Sequence, residues 1–220
     1  MSEPDLTLAY FETLRSKINE RLTRNGTKHA HRQINDFPWL YGALGQVPSD
    51  VMFICENPSL GGVEKAHVRT IGGGAPTIED QWCGGVRSNA VKRFRAALCE
   101  LGLKTTPPLQ RGGWRCYITN VIKEADVVKD FNQRKKQELA VAWADVLDWE
   151  IRRVCPKVIL TVGDNATDLV RHLQDRRLVP DTPRPHKVMH YSNRGPGNTD
   201  DVVKAAMVAG IRAGLSGGPV

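Results

Sequence analysis

The sequence predicts a three-layer α/β/α fold built on a central, mainly parallel four-stranded sheet. Two observations carry that reading. Short apolar runs at 50–55 (DVMFIC), 115–121 (RCYITNV), 157–162 (KVILTV) and 186–190 (HKVMH) have the continuous hydrophobicity of strands buried on both faces. Helical patterns at about 88–102, 131–154, 163–175 and 199–213 alternate with them, and such alternation implies a parallel sheet covered on both sides. Ahead of the first strand, Leu6, Leu8, Phe11, Leu14, Ile18 and Leu22 recur at roughly helical spacing, which predicts an amphipathic helix over 5–23 that Asn25-Gly26 ends. The 220 residues suit a single domain, with a tail that frays from about 214.

The stretch from Asn57 to Arg87 breaks the pattern. It holds Gly61-Gly62, Gly72-Gly73-Gly74 and Gly84-Gly85 without strong periodicity, and a loop of that length inside a compact domain is usually functional or disordered. Ligands of open parallel sheets bind where loops leave the carboxyl ends of the strands. Three segments that start at such ends are chemically unusual: Glu56-Asn57-Pro58-Ser59, Asn120, and His190-Tyr191-Ser192-Asn193-Arg194.

Composition narrows the partners. Lys and Arg number 31 against 24 Asp and Glu, a net charge of +7, and a cationic surplus favours polyanions because neutralised phosphates release counterions. The surplus allows a nucleic-acid partner without requiring one, since many basic proteins bind none; no membrane and no obligatory protein partner are expected. Five cysteines lack any CxxC pair, the N-terminus is acidic and then amphipathic, and no apolar run approaches the ~18 residues that span a bilayer; together these predict reduced thiols and a cytoplasmic protein. No metal or cofactor is expected. His29 and His31 with Cys55 lack a second ligand pair, and no Gly-Lys-Ser/Thr follows Gly72-Gly73-Gly74. Arg134-Lys135-Lys136 reads as a solvated helix face, and Asp164-Asn165 as a helix start.

Each strand-end residue admits two readings. Asn120 offers a donor and an acceptor side by side, matching the edge of a nucleobase, or it caps the next turn. A neutral His190 can donate to a developing anion, or be satisfied by backbone. Glu56-Asn57 on the stiff turn before Pro58 can hold a water, or simply exit the strand.

In this order the segments resemble the uracil-DNA glycosylase superfamily over about residues 50–210. CENPSLG at 55–61 is similar to its first motif, with Cys55 in place of the usual glycine. Asn57 falls where the mismatch-specific and single-strand-selective branches carry Asn, and Glu56 where the iron–sulfur branch carries Glu. Trp82-Cys83-Gly84-Gly85, followed by SNAVKRFRAALCELGL, resembles the aromatic segment and its helix. ITNVIK at 118–123 resembles the base-reading strand, KVILTVGDNAT at 157–167 the following strand and helix start, and MHYSNRG at 189–195 the His-Pro-Ser motif with Tyr191 replacing proline. Cys83 and Cys99 echo one spacing of the iron–sulfur branch but have no CxxC partner, so no cluster is expected.

The resemblance implies a DNA glycosylase. Trp82 would stack on a flipped base, Asn120 read its edge and His190 bond to the departing anion, while Asn57 or Glu56 holds the water. Arg194 would enter the duplex or grip a phosphate, with Ser192 and Asn193 in the same DNA-facing loop. The tyrosine that closes the pocket of strict uracil enzymes is absent, Ser59 standing after Pro58. The implied substrate is uracil, with two alternatives: a bulky 5-modified cytosine of phage DNA, removed in antiviral defence, or DNA binding without catalysis.

Overall fold

The computed structural model describes residues 3–65, 76–82, 89–128, 130–192, 197 and 199–217. In chain order these form α1 (Glu3–Asn25), α2 (Lys28–Asp36), β1 (Leu44–Gly45), β2 (Val51–Cys55), α3 (Leu60–Lys65), a 3-10 turn (Ile78–Trp82) and α4 (Asn89–Glu100). There follow β3 (Tyr117–Asn120), α5 (Gln133–Val154), β4 (Val158–Val162), α6 (Asp164–Asp175), β5 (Pro185–Val188) and α7 (Asp200–Leu215).

The sheet order is β1-β3-β2-β4-β5, with β3, β2, β4 and β5 mutually parallel. The expected four strands are present, but the described sheet has five: the two-residue β1 pairs antiparallel with β3, Leu44 opposite Ile118 and Gly45 opposite Tyr117. Two residues carry no periodicity, so β1 has no sequence signature. The last strand also ends sooner than expected, at Val188, because the backbone turns out of the sheet before His190.

Strand alternation sends the apolar side chains of one strand to opposite faces. Met52 and Ile54 of β2 join Leu14, Ile18, Trp143, Leu147 and Leu169 from α1, α5 and α6. Val51, Phe53 and Cys55 join Phe94, Leu98, Met207 and Ile211 from α4 and α7. Both faces are thus covered, which explains why every residue of β2 is buried. α5 begins where the Asn132 side chain accepts the Lys135 N–H at 3.0 Å and stops at Cys155, whose φ of 54° takes the backbone into the left-handed region.

The connection after β2 crosses to β3 on one side of the sheet, while β4 and β5 continue on the other. A crevice therefore opens between the carboxyl ends of β2 and β4, the switch point where open α/β sheets hold ligands. No described helix is long and apolar enough to cross a membrane.

Candidate active site

The crevice is an open cleft of about 640 Å³ lined by Glu56, Val162, Gly163, Asn165, His190 and Ser192, among others. Three chain segments converge there: the exit of β2, the β4–α6 junction and the loop after β5. Gly163 makes the convergence possible. Its φ is +86°, and a methyl on its Cα would lie 3.2 Å from Cβ and Cδ2 of His190, so a side chain here would push the imidazole away. The Gly163 N–H donates to the Val188 carbonyl at 2.9 Å, tying the two strand ends together.

His190 lies flat against Tyr191, ring centroids 4.5 Å apart, and Tyr191 in turn stacks on Phe94 of α4. The Ser192 N–H donates to His190 Nδ1 at 3.1 Å, and the Ser192 hydroxyl lies 2.6 Å from the same nitrogen. An N–H can only donate, so Nδ1 carries the lone pair and the neutral ring holds its proton on Nε2. Burial pushes the imidazole below its ordinary pKa, while the nearby Glu56 carboxylate pulls partly the other way. His190 is thereby a neutral donor in a cleft that also holds a carboxylate.

Glu56 is held at both oxygens. Lys136 of α5 pairs with Oε1 at 2.7 Å, and Asn165 Nδ2 donates to Oε2 at 3.0 Å. Lys136 is therefore largely covered and tied to a carboxylate of the cleft, which corrects its reading as part of a solvated helix face. Arg134 and Lys135 beside it are exposed as expected. Nothing local marks Lys136, because its partner, Glu56, lies far away in the chain. Asp164 and Asn165 open α6 as predicted, and Asn165 also reaches the cleft.

Asn57 does not line this cleft; its Nδ2 donates to the Pro58 carbonyl at 2.9 Å. Ser59 is exposed immediately before α3. Trp82 closes the 3-10 turn. Asn193 and Arg194, together with Cys83 and Gly84-Gly85, lie outside the described residues.

Asn120 sits on the opposite flank of β2, level with Cys55 in the β2–β3 register, and is buried. Its Nδ2 donates to the Gly42 carbonyl at 2.7 Å rather than capping the following turn. Gly42 has φ +64°, and a methyl there would sit 3.1 Å from that nitrogen, so only glycine brings the carbonyl so close. A flipped amide would set oxygen against oxygen, so Gly42 fixes the orientation. Among the described residues nothing donates to Oδ1.

Below Asn120 lies a polar network. The fully buried Lys123 pairs with Glu150 and donates to Thr119 Oγ1 and to the Asn120 carbonyl, at 2.6 Å for the last. Glu150 also accepts from Tyr117 at 2.6 Å and Thr119 at 2.7 Å, and Tyr10 donates to Tyr117 at 2.7 Å. Burial lowers the Lys123 pKa and Glu150 opposes that, so the ammonium has three acceptors and the carboxylate three donors.

The family model described as the uracil DNA glycosylase superfamily matches residues 43–207, most of the chain. The chain belongs to the uracil DNA glycosylase superfamily. Membership supports a DNA glycosylase-type function with DNA as the partner, and the switch-point cleft lies inside the matched span. None of the curated proteins compared with the chain matches it.

Proposed function

We propose that this superfamily member hydrolyses the N-glycosidic bond of a uracil flipped out of DNA, leaving an abasic site. The observation that carries the reading is the pairing of Glu56 with a neutral His190 in one cleft at the sheet's switch point. Cleavage of such a bond passes through a transition state with positive charge on the sugar and negative charge on the base. Glu56, anchored by Lys136 and Asn165, faces the first charge and holds the water; His190 Nε2–H faces the second. Water oxygen bonds to C1′ as the C1′–N1 bond breaks and its electron pair leaves with the base. The water proton passes to Glu56 and then to solvent or the departed base.

Flipping costs a few kcal/mol of unstacking, which contacts in the pocket must recover. Trp82 would supply stacking. Asn120 would read the edge, its unpartnered Oδ1 facing uracil N3–H and its second Nδ2–H facing O4. The amide is covered in the free protein, so base entry displaces what lies over it. Arg194, Ser192 and Asn193 would meet the DNA backbone.

A single-turnover assay on otherwise identical duplexes and single strands carrying uracil, a glucosylated 5-hydroxymethylcytosine or only normal bases tests this. Abasic sites from the uracil substrate are expected. Excision of the bulky cytosine with uracil untouched would change the substrate and keep the reaction. DNA binding without release of any base would leave a silent binding module.

A further inference from the structure

The Asn120 amide is not oriented by its own strand. Its partner, the Gly42 carbonyl, sits in the turn before β1, and that turn is gripped by one side chain from the 3-10 turn. Gln81 Oε1 accepts the Gly42 N–H at 2.7 Å, and Gln81 Nε2 donates to the Ala43 carbonyl at 2.7 Å. A single carboxamide thus engages, through both of its ends, the two peptide groups that flank the Gly42–Ala43 peptide carrying that carbonyl. The 3-10 turn is itself anchored independently. Glu79 accepts the Gly112 N–H at 3.0 Å, and Asp80, almost fully buried, pairs with Arg111 at 3.2 Å and accepts from the Thr77 hydroxyl at 3.1 Å. Gln81 is therefore the rigid end of a relay that runs through Gly42 to Asn120.

We infer that Gln81 is a positioning residue that sets base specificity by locking the Gly42 carbonyl and, through it, the Asn120 amide. The inference rests on the proposed reading of a base by Asn120. Uracil presents a donor at N3 and an acceptor at O4, whereas cytosine presents an acceptor at N3 and a donor at N4. One orientation of the amide matches one of these edges and opposes the other, so an amide free to turn over accepts both. With the Gly42 carbonyl held, turning over sets Asn120 Oδ1 against it. Gln81 also stands next to Trp82, so the same turn fixes the start of the stacking segment relative to the reading amide.

The test compares wild type with Gln81→Ala and Gln81→Glu, the second keeping the acceptor for Gly42 N–H while losing the donor to Ala43. Two readouts are taken: the ratio of kcat/KM for uracil over cytosine in the same DNA, and hydrogen exchange of the Asn120 side-chain amide by NMR. The expected result for Gln81→Ala is a ratio reduced on the order of ten- to a hundredfold, with faster amide exchange and a melting temperature near wild type. Gln81→Glu should fall between the two and carries the comparison if the alanine variant misfolds. An unchanged ratio, with activity on the preferred base lowered or not, overturns the inference, as does amide exchange equal to wild type. If wild type releases no base at all, the proposed function fails and amide exchange alone decides whether Gln81 locks Asn120.

Discussion

The two flanks of β2 are built in opposite ways. Towards β3, Asn120, Lys123 and Glu150 are buried, and every donor of Lys123 and every oxygen of Glu150 has a partner within the protein. Towards β4 and β5, the same strand edge opens into a cleft where Ser192 is exposed and Glu56 and His190 are half-buried. A buried network whose charges are paired is rigid, because any rearrangement strands a charged group away from water. An open cleft tolerates substrate entry but desolvates its groups only in part, enough to keep His190 neutral. On the proposed function, the difference teaches that recognition and chemistry make different demands: an amide that discriminates between bases must not turn, whereas groups facing transient charge must be reachable.

The largest effect should come from breaking the rigid flank. Lys123→Met leaves Glu150 as an uncompensated charge in the core, and such a loss costs about 3–5 kcal/mol of stability. Urea unfolding measures it, and Lys123→Met/Glu150→Gln should regain most of the loss. A cost below about 1 kcal/mol would mean the pair does not hold this flank.

On the open flank, His190→Ala should leave the fold intact and slow base release by ~10²–10³, the usual loss for one donor to transition-state charge. DNA affinity should change far less, since that charge is absent from the ground state. The ring's pH dependence sharpens the point. Its pKa lies below the ordinary value of about 6.5, so the wild-type rate should be level above that pH and fall on the acid side. There, a proton on Nδ1 would confront the Ser192 N–H, donor against donor. His190→Ala should lose this acid limb; equal losses in rate and affinity would make His190 structural.

The smallest effect is expected outside both flanks. Arg134 and Glu138 form an exposed i,i+4 pair at 3.0 Å, and Arg134→Ala should cost no more than ~0.5 kcal/mol by the same unfolding measurement. A larger loss would show that the α5 basic run acts as a unit with Lys136.

Legibility in the sequence followed the range of the interaction. The four parallel strands and five long helices announce themselves through local periodicity, and their observed bounds lie within a few residues of those expected. α2 does not, because Lys28–Asp36 buries only Ala30 and Gln33 and has no apolar stripe; a Thr27 cap and tertiary bonds from Gln33 hold it instead. α3 contains Gly61-Gly62 and lay hidden in what read as a glycine-rich loop. At the site, Glu56, Asn120 and His190 were visible because polar residues at the ends of apolar strands are conspicuous. Lys136, Gln81 and Gly42 were not, since each matters only through a partner distant in sequence. Sequence gives the Asn120 amide no orientation, because the Gly42 carbonyl that fixes it lies 78 positions away.

The reversed direction of β1 has a consequence for how this chain tolerates change in length. Because β1 runs against β3, the residues that precede it emerge at the same sheet edge where β3 ends, so Gly42 arrives opposite Asn120 by simple counting back from the Leu44–Ile118 pair. A parallel β1 would deliver those residues to the far edge. The turn thus works as a ruler of fixed length. Variation in chain length upstream of the turn leaves its spacing intact, whereas one residue added or removed between Gly42 and Leu44 shifts the ruler by a peptide unit and presents the wrong group to the amide. Length variation should therefore be accepted before the turn and refused within it.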